Sequence, residues 1–321
     1  MKAAGLQAFR VSYRDEAAEA LLDRPGTLAV FSFGHPASRQ SDPRHVGILQ
    51  AALEQSAPLE CWSVDAEVRH GREDGLRWSQ GGGWRFVAIE VDETASGGIE
   101  AACELAYDRL LAHVAASPEN HFLRIWNYLD AINTGDGDAE RYRRFCSARA
   151  RCMTAHRVAR YPAATAIGHR GPAGRLQVYA LCANRDGVAL ENPRQVSAWE
   201  YPRQYGPTAP SFARAMQLPH GGLAISGTAA VIGHASRHVG EVTAQVDEAV
   251  ANLYALLKRA ELPPFDALSP LKVYVRNPED ADTVSTALAG HLDPFVPRLL
   301  LQGDICRREL LVEIDGWRFV G

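Results

Sequence analysis

The sequence lacks any long apolar run, and this excludes a membrane-spanning helix. Of its 321 residues, 46% are hydrophobic and 22% are charged, which is typical of globular proteins. Every apolar stretch falls short of the roughly 20 residues that cross a bilayer. Arg10 and Asp15 come too early to leave room for the apolar segment of a signal peptide. We therefore expect a cytoplasmic protein without membrane contact, and its length suggests about two domains.

Basic tracts are also absent, and they are the usual sign of nucleic-acid binding. The formal net charge is −4 and the isoelectric point is about 6.3. Lys and Arg form no continuous stripe along the chain. We expect no nucleic acid among the partners of this protein.

Standard catalytic and cofactor motifs are missing too. The chain has no Walker A loop, no GxGxxG after a strand, no HExxH and no GxSxG. The stretch "GGGW" (81–84) is typical of a hairpin turn rather than of a phosphate-binding loop. His234 and His238 have the i, i+4 spacing of helical metal ligands, but the glycines beside them favour a loop. We expect neither a metal nor an organic cofactor.

The cysteines form no CxxC pair and show no regular spacing, so nothing in the sequence indicates a disulfide framework or a zinc site. We predict that they are free thiols and that most of them are buried as small apolar residues. The six positions are Cys61, Cys103, Cys146, Cys152, Cys182 and Cys306.

Hydrophobic periodicity predicts the same order of strands and helices in both halves of the chain. The repeated unit is about 130 residues long, in the range of a supersecondary unit used twice. The first half is predicted to contain a strand at 27–34, a hairpin at 75–91, a helix at 98–117, a strand at 121–133, a helix at 138–153 and strands at 161–169 and 174–183. The second half is predicted to contain a strand at 221–233, helices at 241–262 and 280–292, and strands at 271–280, 298–304 and 309–319.

The segment between the copies has no periodicity and is rich in Pro, Arg and Tyr. A connector of this length in a compact protein is usually functional or disordered, and its aromatic content argues against disorder. We predict an α/β (α+β) fold of mixed sheets with helices packed on one face. The predicted division is a degenerate N-terminal domain (1–184), a connector that contributes to the site (185–216) and a catalytic domain (217–321).

Glu313 is the residue that most needs a functional explanation. It lies in the apolar strand "RELLVEID", where Leu310, Val312 and Ile314 point to one face and Glu313 points to the other. Its counterpart in the first copy is Gln177 or a neighbour, so the acid belongs to one copy only. This indicates one specialised site, although a structural ion pair with an arginine of the connector would also account for the carboxylate.

Several segments carry the motifs of known families. The stretches "PSFARAMQLPHGGLAISGTAAVIG", "VYVRNPED" and "LLVEID" occur in this order and resemble the RidA/YjgF superfamily over residues 207–320. Over most of the chain, "NPRQVSAWEYPRQYGPTAPSFARA", "ISGTA", "RIWNYLDAIN" and "CRRELLVEIDGW" resemble the chorismatases more specifically. Chorismatases are two-domain enzymes that remove the enolpyruvyl group of chorismate as pyruvate. The resemblance implies two RidA/YjgF-like (chorismate-mutase-like) domains and chorismate as the small-molecule substrate.

The resemblance also implies roles for particular residues. Glu313 matches the acid that protonates the enol ether, and Cys306, seven residues before it, matches the members that form 3-hydroxybenzoate. Guanidinium groups suit the two substrate carboxylates. The implied substrate-binding residues are Arg203, Tyr205, Phe212, Arg214, Gly227, Thr228 and Arg276, and Asn127 and Tyr128 are weaker candidates.

Alternatives remain open at this point. The product could include 4-hydroxybenzoate, or hydrolysis could leave a dihydroxycyclohexadiene carboxylate. A RidA-like imine or enamine deaminase would need a carboxylate-binding Arg where this sequence has Leu299, with Arg298 one place away. A non-catalytic binder of aromatic acids is a third class. RidA-like domains usually form trimers with their sites between subunits. We therefore expect either a homotrimer or a monomer in which the two repeats of one chain form this contact themselves.

Overall fold

The computed structural model describes residues 5–34, 42–54 and 57–321. The first elements along the chain are β1 (Phe9–Arg14), α1 (Ala18–Leu22), β2 (Thr27–Phe33), β3 (His45–Ile48) and β4 (Leu59–Val64). The strands form a first sheet of four strands with the order β1-β4-β2-β3, in which β2 and β3 run parallel. The prediction that the strand at 27–34 belongs to the first repeat is therefore wrong, because β2 pairs within this separate sheet.

The first repeat begins after this sheet. The "GGGW" turn joins the strands Leu76–Gly81 and Trp84–Asp92, and Gly82 and Gly83 have the positive φ angles that a tight hairpin turn requires. The elements of the first repeat are β5 (Arg69–Glu73), β6 (Leu76–Gly81), β7 (Trp84–Asp92), α2 (Glu93–Ser96), α3 (Ile99–Ala115), β8 (His121–Asp130), α4 (Arg141–Ala155), β9 (Ala163–His169) and β10 (Arg175–Ala183).

The second repeat follows with the same order of main elements. Its helix α5 buries an apolar stripe that includes Val246, Val250, Leu253 and Leu257, as the periodicity predicts. The elements of the second repeat are β11 (Val188–Leu190), β12 (Ala215–Gln217), β13 (Leu223–Ala229), β14 (Val231–Ile232), β15 (Ala235–Ser236), α5 (Val242–Arg259), β16 (Leu271–Val275), α6 (Ala281–Ala289), β17 (Arg298–Gln302), β18 (Asp304–Ile305) and β19 (Val312–Arg318).

The strand orders of the two large sheets confirm the internal duplication. The first repeat has the order β9-β8-β10-β7-β6-β5, and the second has β17-β16-β19-β13-β12-β11. In each sheet one pair is parallel, β8 with β9 and β16 with β17. The two-residue strand β18 crosses over and pairs with β9, so the second repeat extends the sheet of the first.

The helices of each repeat pack on one face of its sheet, as predicted. Helices α3 and α4 bury side chains against one face of the first large sheet, and α5 and α6 do the same on the second. The opposite faces share one core with the first sheet, in which Phe31 and Trp62 lie near Trp126, Tyr179 and Trp317. No helix among the described residues is long and apolar enough to cross a membrane.

The connector is more ordered than the sequence suggests. Strands β11 and β12, at its two ends, join the edge of the second sheet. Between them, short 3-10 turns at Ala198–Glu200 and Arg203–Tyr205 carry the chain across the seam between the repeats. The division at 184 and 216 stays a prediction, since these strands belong by pairing to the second sheet.

Candidate active site

A cavity of about 580 Å³ lies at the seam between the two repeats. Its size is in the range of small-molecule sites, which are often formed where structural units meet. The first repeat, the connector and the second repeat all contribute to its walls. Its lining includes Asn127, Tyr142, Cys146, Arg149, Thr165, Tyr201, Tyr205, Phe212, Arg214, Gly227, Cys306, Arg307 and Glu313.

Glu313 reaches the cavity because of the alternation along β19. The side chains of Val312 and Ile314 enter the core beneath α5 and α6, so Glu313 points to the opposite face. Across the sheet it pairs with Tyr274 on one side and Ala229 on the other. The side chain is only 5% exposed, and its carboxyl group lies in the wall of the cavity.

Gly227 makes room for this carboxyl group. The pairing of β13 with β19 shifts register between Ile225 and Thr228, so Ser226 and Gly227 form a bulge opposite Asp315, two residues along β19 from the acid. A Cβ atom at position 227 would lie 1.8 Å from Glu313 Oε1. Only glycine therefore fits here without displacing the carboxyl group.

The environment of Glu313 favours its protonated form. Burial raises the pKa of the carboxyl group to about 8, and the charge of Asp315, on the same face of β19, adds to this rise. Arg124, Arg214 and Arg276 act in the opposite direction without cancelling it. At neutral pH the side chain is a neutral acid that can donate a proton to a molecule in the cavity.

Cys306 also lines the cavity, as a half-buried free thiol. Burial and the nearby Glu313 raise its pKa to about 12, so the thiol stays protonated. It is not a reactive thiolate, and it can act as a polarisable wall or a weak hydrogen-bond donor. The other five cysteines are free thiols and buried, in agreement with the prediction.

Arg214 joins the aromatic wall that the connector contributes. Its Nη2 donates to the Val196 carbonyl (2.8 Å) and to Tyr201 Oη (2.6 Å). The guanidinium carbon lies 5.3 Å from the centroid of Phe212. Tyr205 also lines the cavity, and the guanidinium carbon of Arg307 lies 3.9 Å from the centroid of its ring. The structure thus brings together Glu313, Cys306, Gly227, Arg214, Phe212 and Tyr205.

Three other predicted site residues lie outside the cavity lining. Arg203 is exposed and binds Asp138 through both Nη atoms (2.9 and 2.5 Å). Thr228 is buried, and its Oγ1 donates to the Ser226 carbonyl (2.9 Å). Arg276 donates to the carbonyls of Ile305, Arg307 and Leu310, so its guanidinium shapes the segment before Glu313. Their assignment to substrate contact stays a prediction, and the structure does not bring them into the cavity lining with the other predicted residues.

The two weaker candidates separate in the same way. Asn127 lines the cavity. Tyr128 is fully buried between the sheets, where its hydroxyl contacts those of Tyr274 (2.8 Å) and Tyr179 (3.3 Å). Adjacent residues of a strand point to opposite faces, so only one of the two can face the cavity.

Arg149 is a cavity residue that the sequence reasoning missed. It lies on α4, whose buried residues are Phe145, Cys146, Ala148, Arg149, Cys152 and Met153. That spacing is the apolar stripe of an amphipathic helix. An arginine inside such a stripe is a signal that the sequence did contain.

The residue of the first repeat that is equivalent to Glu313 is Gln177, and its side chain is hydrogen-bonded to other protein groups. Gln177 pairs with Tyr128 in the first sheet as Glu313 pairs with Tyr274 in the second. The Gln177 amide accepts from Leu49 N (3.2 Å) and donates to the Gly47 carbonyl (2.9 Å). The segment at β3 therefore fills this position, and the acid is present in one repeat only, as predicted.

The two histidines considered as metal ligands lie in a loop rather than on a helix. His234 lies in the turn between β14 and β15, and its Nδ1 is 3.3 Å from Tyr205 Oη. His238 lies beyond β15 and contacts Glu248 (3.2 Å). Among residues 5–34, 42–54 and 57–321, no group of three His, Cys, Asp or Glu side chains is placed to hold a metal ion.

The fold and the cavity define a duplicated α+β protein with an acid, a thiol and arginines around a cavity of small-molecule size. A family model described as chorismatase FkbO/Hyg5-like, N-terminal, matches residues 60–182. A 3-hydroxybenzoate synthase of Streptomyces hygroscopicus is 36% identical over 276 residues, covering 80% of each chain. A chorismatase of the same organism is 36% identical over 82% of this chain and 80% of its own.

A solved structure agrees with these sequence relatives. A crystal structure of a chorismatase superposes with a TM-score of 0.86 at 30% identity, covering 98% of this chain and 99% of that chain. The chain belongs to the chorismatase family. The resemblance found in the sequence, the α+β fold class and the assignment to an enzyme family are confirmed.

Proposed function

We propose that this protein cleaves the enolpyruvyl ether of chorismate and releases pyruvate and 3-hydroxybenzoate. The observation that carries the proposal is a carboxylic acid, Glu313, with its pKa raised to about 8 in a cavity lined by arginines. Such an acid can protonate carbon at neutral pH. The names of two relatives, a chorismatase and a 3-hydroxybenzoate synthase, support the choice of substrate and product.

In the proposed first step, Glu313 transfers its proton to the methylene carbon of the enol ether. The electron pair of the double bond forms the new C–H bond, and the ether carbon becomes an oxocarbenium centre. Glu313 is left as a carboxylate. The neighbouring ring hydroxyl then attacks the oxocarbenium carbon and passes its proton to the Glu313 carboxylate.

In the proposed second step, the ring loses a proton from the ether-bearing carbon, and the bond between the neighbouring carbon and its oxygen breaks. The ring becomes aromatic, and the released hemiketal breaks down to pyruvate and 3-hydroxybenzoate. No net water is consumed. Glu313 protonates the departing oxygen and, as a carboxylate, then accepts the ring proton, which restores the acid.

Cys306 is proposed to favour the aromatic product by shaping the wall beside Glu313. The influence of Glu313 on the pKa of the Cys306 thiol indicates that the two groups are close. A neutral thiol there would exclude a water molecule that could attack the oxocarbenium centre. Attack by water instead would give the dihydroxycyclohexadiene carboxylate.

The geometry gives no support to the deaminase alternative. Leu299, at the position where RidA carries its carboxylate-binding arginine, is fully buried in the core shared by the sheets. Neither Leu299 nor Arg298 belongs to the lining of the Glu313 cavity.

The test is incubation of the pure protein with chorismate, followed by chromatography and a pyruvate assay. Pyruvate with 3-hydroxybenzoate is expected, and Glu313→Gln should reduce turnover by about 10²- to 10⁴-fold. Glu279→Gln, at an exposed 3-10 turn, is the control and should retain wild-type turnover. Pyruvate with the diol would refute the product assignment, and unchanged chorismate would refute the whole proposal.

The monomer and the cytoplasmic location are also proposals. The first sheet packs into the same core as the two repeats, so the chain itself covers the faces that a duplicated unit would otherwise expose to a further subunit. The free thiols are compatible with a reducing compartment.

A further inference from the structure

A second carboxylate lies on the same face of β19 as Glu313. Asp315 is two residues further along this strand, so its side chain points to the same side of the sheet. It is fully buried and does not belong to the lining of the cavity. A role of Asp315 in the reaction would therefore act through Glu313 and not through contact with the substrate.

Donors from both repeats hold Asp315 in place. Its Oδ2 accepts from Trp126 Nε1 (2.9 Å) and Thr165 Oγ1 (2.8 Å) of the first repeat. The same oxygen accepts from Tyr274 Oη of the second repeat (3.1 Å) and forms an ion pair with Arg124 Nη2 (3.1 Å). Hydrogen-bond donors and a guanidinium favour the ionised form of a carboxyl group. Asp315 is therefore a fixed negative charge.

Glu313 has no comparable partners. Within the described parts of the chain, no group donates a hydrogen bond to its carboxyl group, and no Lys, Arg or His nitrogen lies within 4 Å of it. Two residues along a strand correspond to about 7 Å. Ionisation of both side chains would place two negative charges near each other, with a paired cation for Asp315 only. The unpaired member, Glu313, is the one that should hold a proton.

The buried charges around Asp315 balance when Glu313 is neutral. Arg124 is paired with Asp315, and Lys272 Nζ lies 3.2 Å from Glu60 Oε2. These four residues contribute two positive and two negative charges. Ionisation of Glu313 would add a third negative charge to this part of the interior.

Other titratable groups around the two carboxylates do not alter this balance. Arg214 and Arg276 lower the pKa of Glu313 but do not cancel the effect of burial and of Asp315. The remaining neighbours are phenols and a thiol, and burial raises the pKa of each, so they are neutral at physiological pH. These neighbours are Tyr13, Tyr128, Tyr142, Tyr179, Tyr274 and Cys306.

The first repeat lacks both carboxylates. The strand pairing that makes Gln177 equivalent to Glu313 also makes Tyr179 equivalent to Asp315. The two acids thus occur together in one repeat and are replaced together in the other. This joint replacement indicates that they act as a pair.

We propose that Asp315 is a positioning residue for the reaction, and that its fixed charge keeps a proton on Glu313 before the first step and favours the return of a proton to Glu313 after each transfer. This inference rests on the proposed function, in which Glu313 acts as an acid and then as a base. A negative charge beside a carboxylate makes it a stronger base. Removal of the proton from the ring carbon by Glu313 is therefore favoured by Asp315.

The pH profile of kcat/KM for chorismate tests the inference. Asp315→Asn keeps the shape of the side chain and removes its charge, while Arg124 and Lys272 remain. The alkaline limb should move from about 8 to lower pH by at least about one unit. At pH 5 Glu313 is protonated in both proteins, so kcat/KM should be close to that of wild type. An unchanged limb with the same loss of activity at every pH would make Asp315 a purely structural residue and would overturn the inference.

A second variant keeps the test valid if Asp315→Asn alone does not fold. Asp315→Asn combined with Arg124→Gln removes both members of the ion pair and leaves neither charge unpaired. Asp315 acts on Glu313 more strongly than Arg124 does, so the limb of the double variant should still lie below that of wild type. A limb at or above the wild-type value would overturn the inference. Asp282→Asn, at an exposed position of α6, is the control and should leave the profile unchanged.

Failure of the proposed reaction can be distinguished from failure of this inference. The carboxyl carbon of Glu313 is titrated by NMR in protein labelled with ¹³C-glutamate, and its signal is identified by its absence in Glu313→Gln. If chorismate is not converted, a midpoint that falls from about 8 in wild type to a lower pH in Asp315→Asn would refute the proposed function and support the effect of Asp315 on Glu313. Equal midpoints in the two proteins would refute the inference whether or not chorismate is converted.

Discussion

Gly227 lies directly against the carboxyl group of Glu313, so closely that a Cβ at 227 would fall 1.8 Å from Oε1. The register shift in β13 produces this approach. The position of the proposed acid therefore depends on a residue of a neighbouring strand that has no side chain.

Gly227→Ala should reduce kcat by about 100-fold or more, since a misplaced general acid loses much of its contribution. The protein should still fold, because the carboxyl group can turn into the cavity to relieve the clash. Steady-state kinetics and circular dichroism are the measurements. Gly5→Ala is the control, since no atom lies within 4 Å of a Cβ there. Wild-type kcat in Gly227→Ala would show that Glu313 acts from another position.

Activity should depend on pH through Glu313. The protonated carboxyl group is the active form, so kcat/KM should fall tenfold per pH unit once the pH exceeds about 8. A profile from pH 5 to pH 10 measures this limb. A limb near pH 4.5, the ordinary value for Glu, would mean that the cavity does not hold the acid protonated.

Stability should depend on the same proton. The pKa of Glu313 is higher in the folded state, about 8, than the ordinary value of 4.5. Its contribution to the free energy of unfolding is therefore fully present below pH 4.5 and is lost as the pH rises through 8. Glu313→Gln carries no ionisable group, so its stability relative to wild type should increase over this range. Urea unfolding at pH 5, 7 and 9 gives the comparison, and a constant difference would contradict the expectation.

Cys306→Ala should change the products more than the rate. A smaller wall beside Glu313 leaves room for water, so the ratio of diol to 3-hydroxybenzoate should rise while pyruvate release continues. Cys146→Ala removes the other thiol that lines the cavity, from α4, and should leave the ratio unchanged. Quantitative chromatography measures the ratio of diol to 3-hydroxybenzoate in both variants. An unchanged ratio in Cys306→Ala would make Cys306 a passive part of the wall.

Much of the fold could be predicted from local patterns, because amphipathic helices and apolar strands leave clear periodicities. The repeated order of elements and the position of Glu313 on an otherwise apolar strand followed from these patterns alone. The separate first sheet did not, because the strand at 27–34 has the same local pattern whichever sheet it joins. Strand pairing depends on partners far away in the sequence, which periodicity does not specify.

The cationic residues of the site were harder to predict for a related reason. In the aperiodic connector, Arg203 and Arg214 could not be ranked, and folding exposes the first and buries the second. Arg276 was chosen for its place beside a strand, yet its donors serve carbonyls of the segment before Glu313. Arg149 was overlooked, although its place in a buried helical stripe was visible. The departure from an apolar pattern was the useful signal for both Glu313 and Arg149.

We expect a buried ion pair to stabilise the contact between the first sheet and the repeats. Lys272 Nζ lies 3.2 Å from Glu60 Oε2, with both side chains at most 2% exposed, and Glu60 Oε1 accepts from Trp62 Nε1 (2.7 Å). Glu60→Gln would remove the ion-pair partner of the buried Lys272 charge, which should lower the free energy of unfolding by about 3 kcal/mol, since Asp315 still acts on this charge. Urea denaturation measures this loss, with the exposed pair broken by Asp65→Asn as a control that should change the free energy of unfolding far less, because solvent screens an exposed pair.

Light scattering on the same samples tests the oligomeric state. Because the first sheet shares the core of the repeats, wild type should have the 35.0 kDa mass of one chain. Glu60→Gln, by loosening this sheet, should expose apolar surface and increase self-association. A trimeric wild-type protein, with a stable Glu60→Gln variant, would mean that the first sheet does not complete the molecule and that other subunits do.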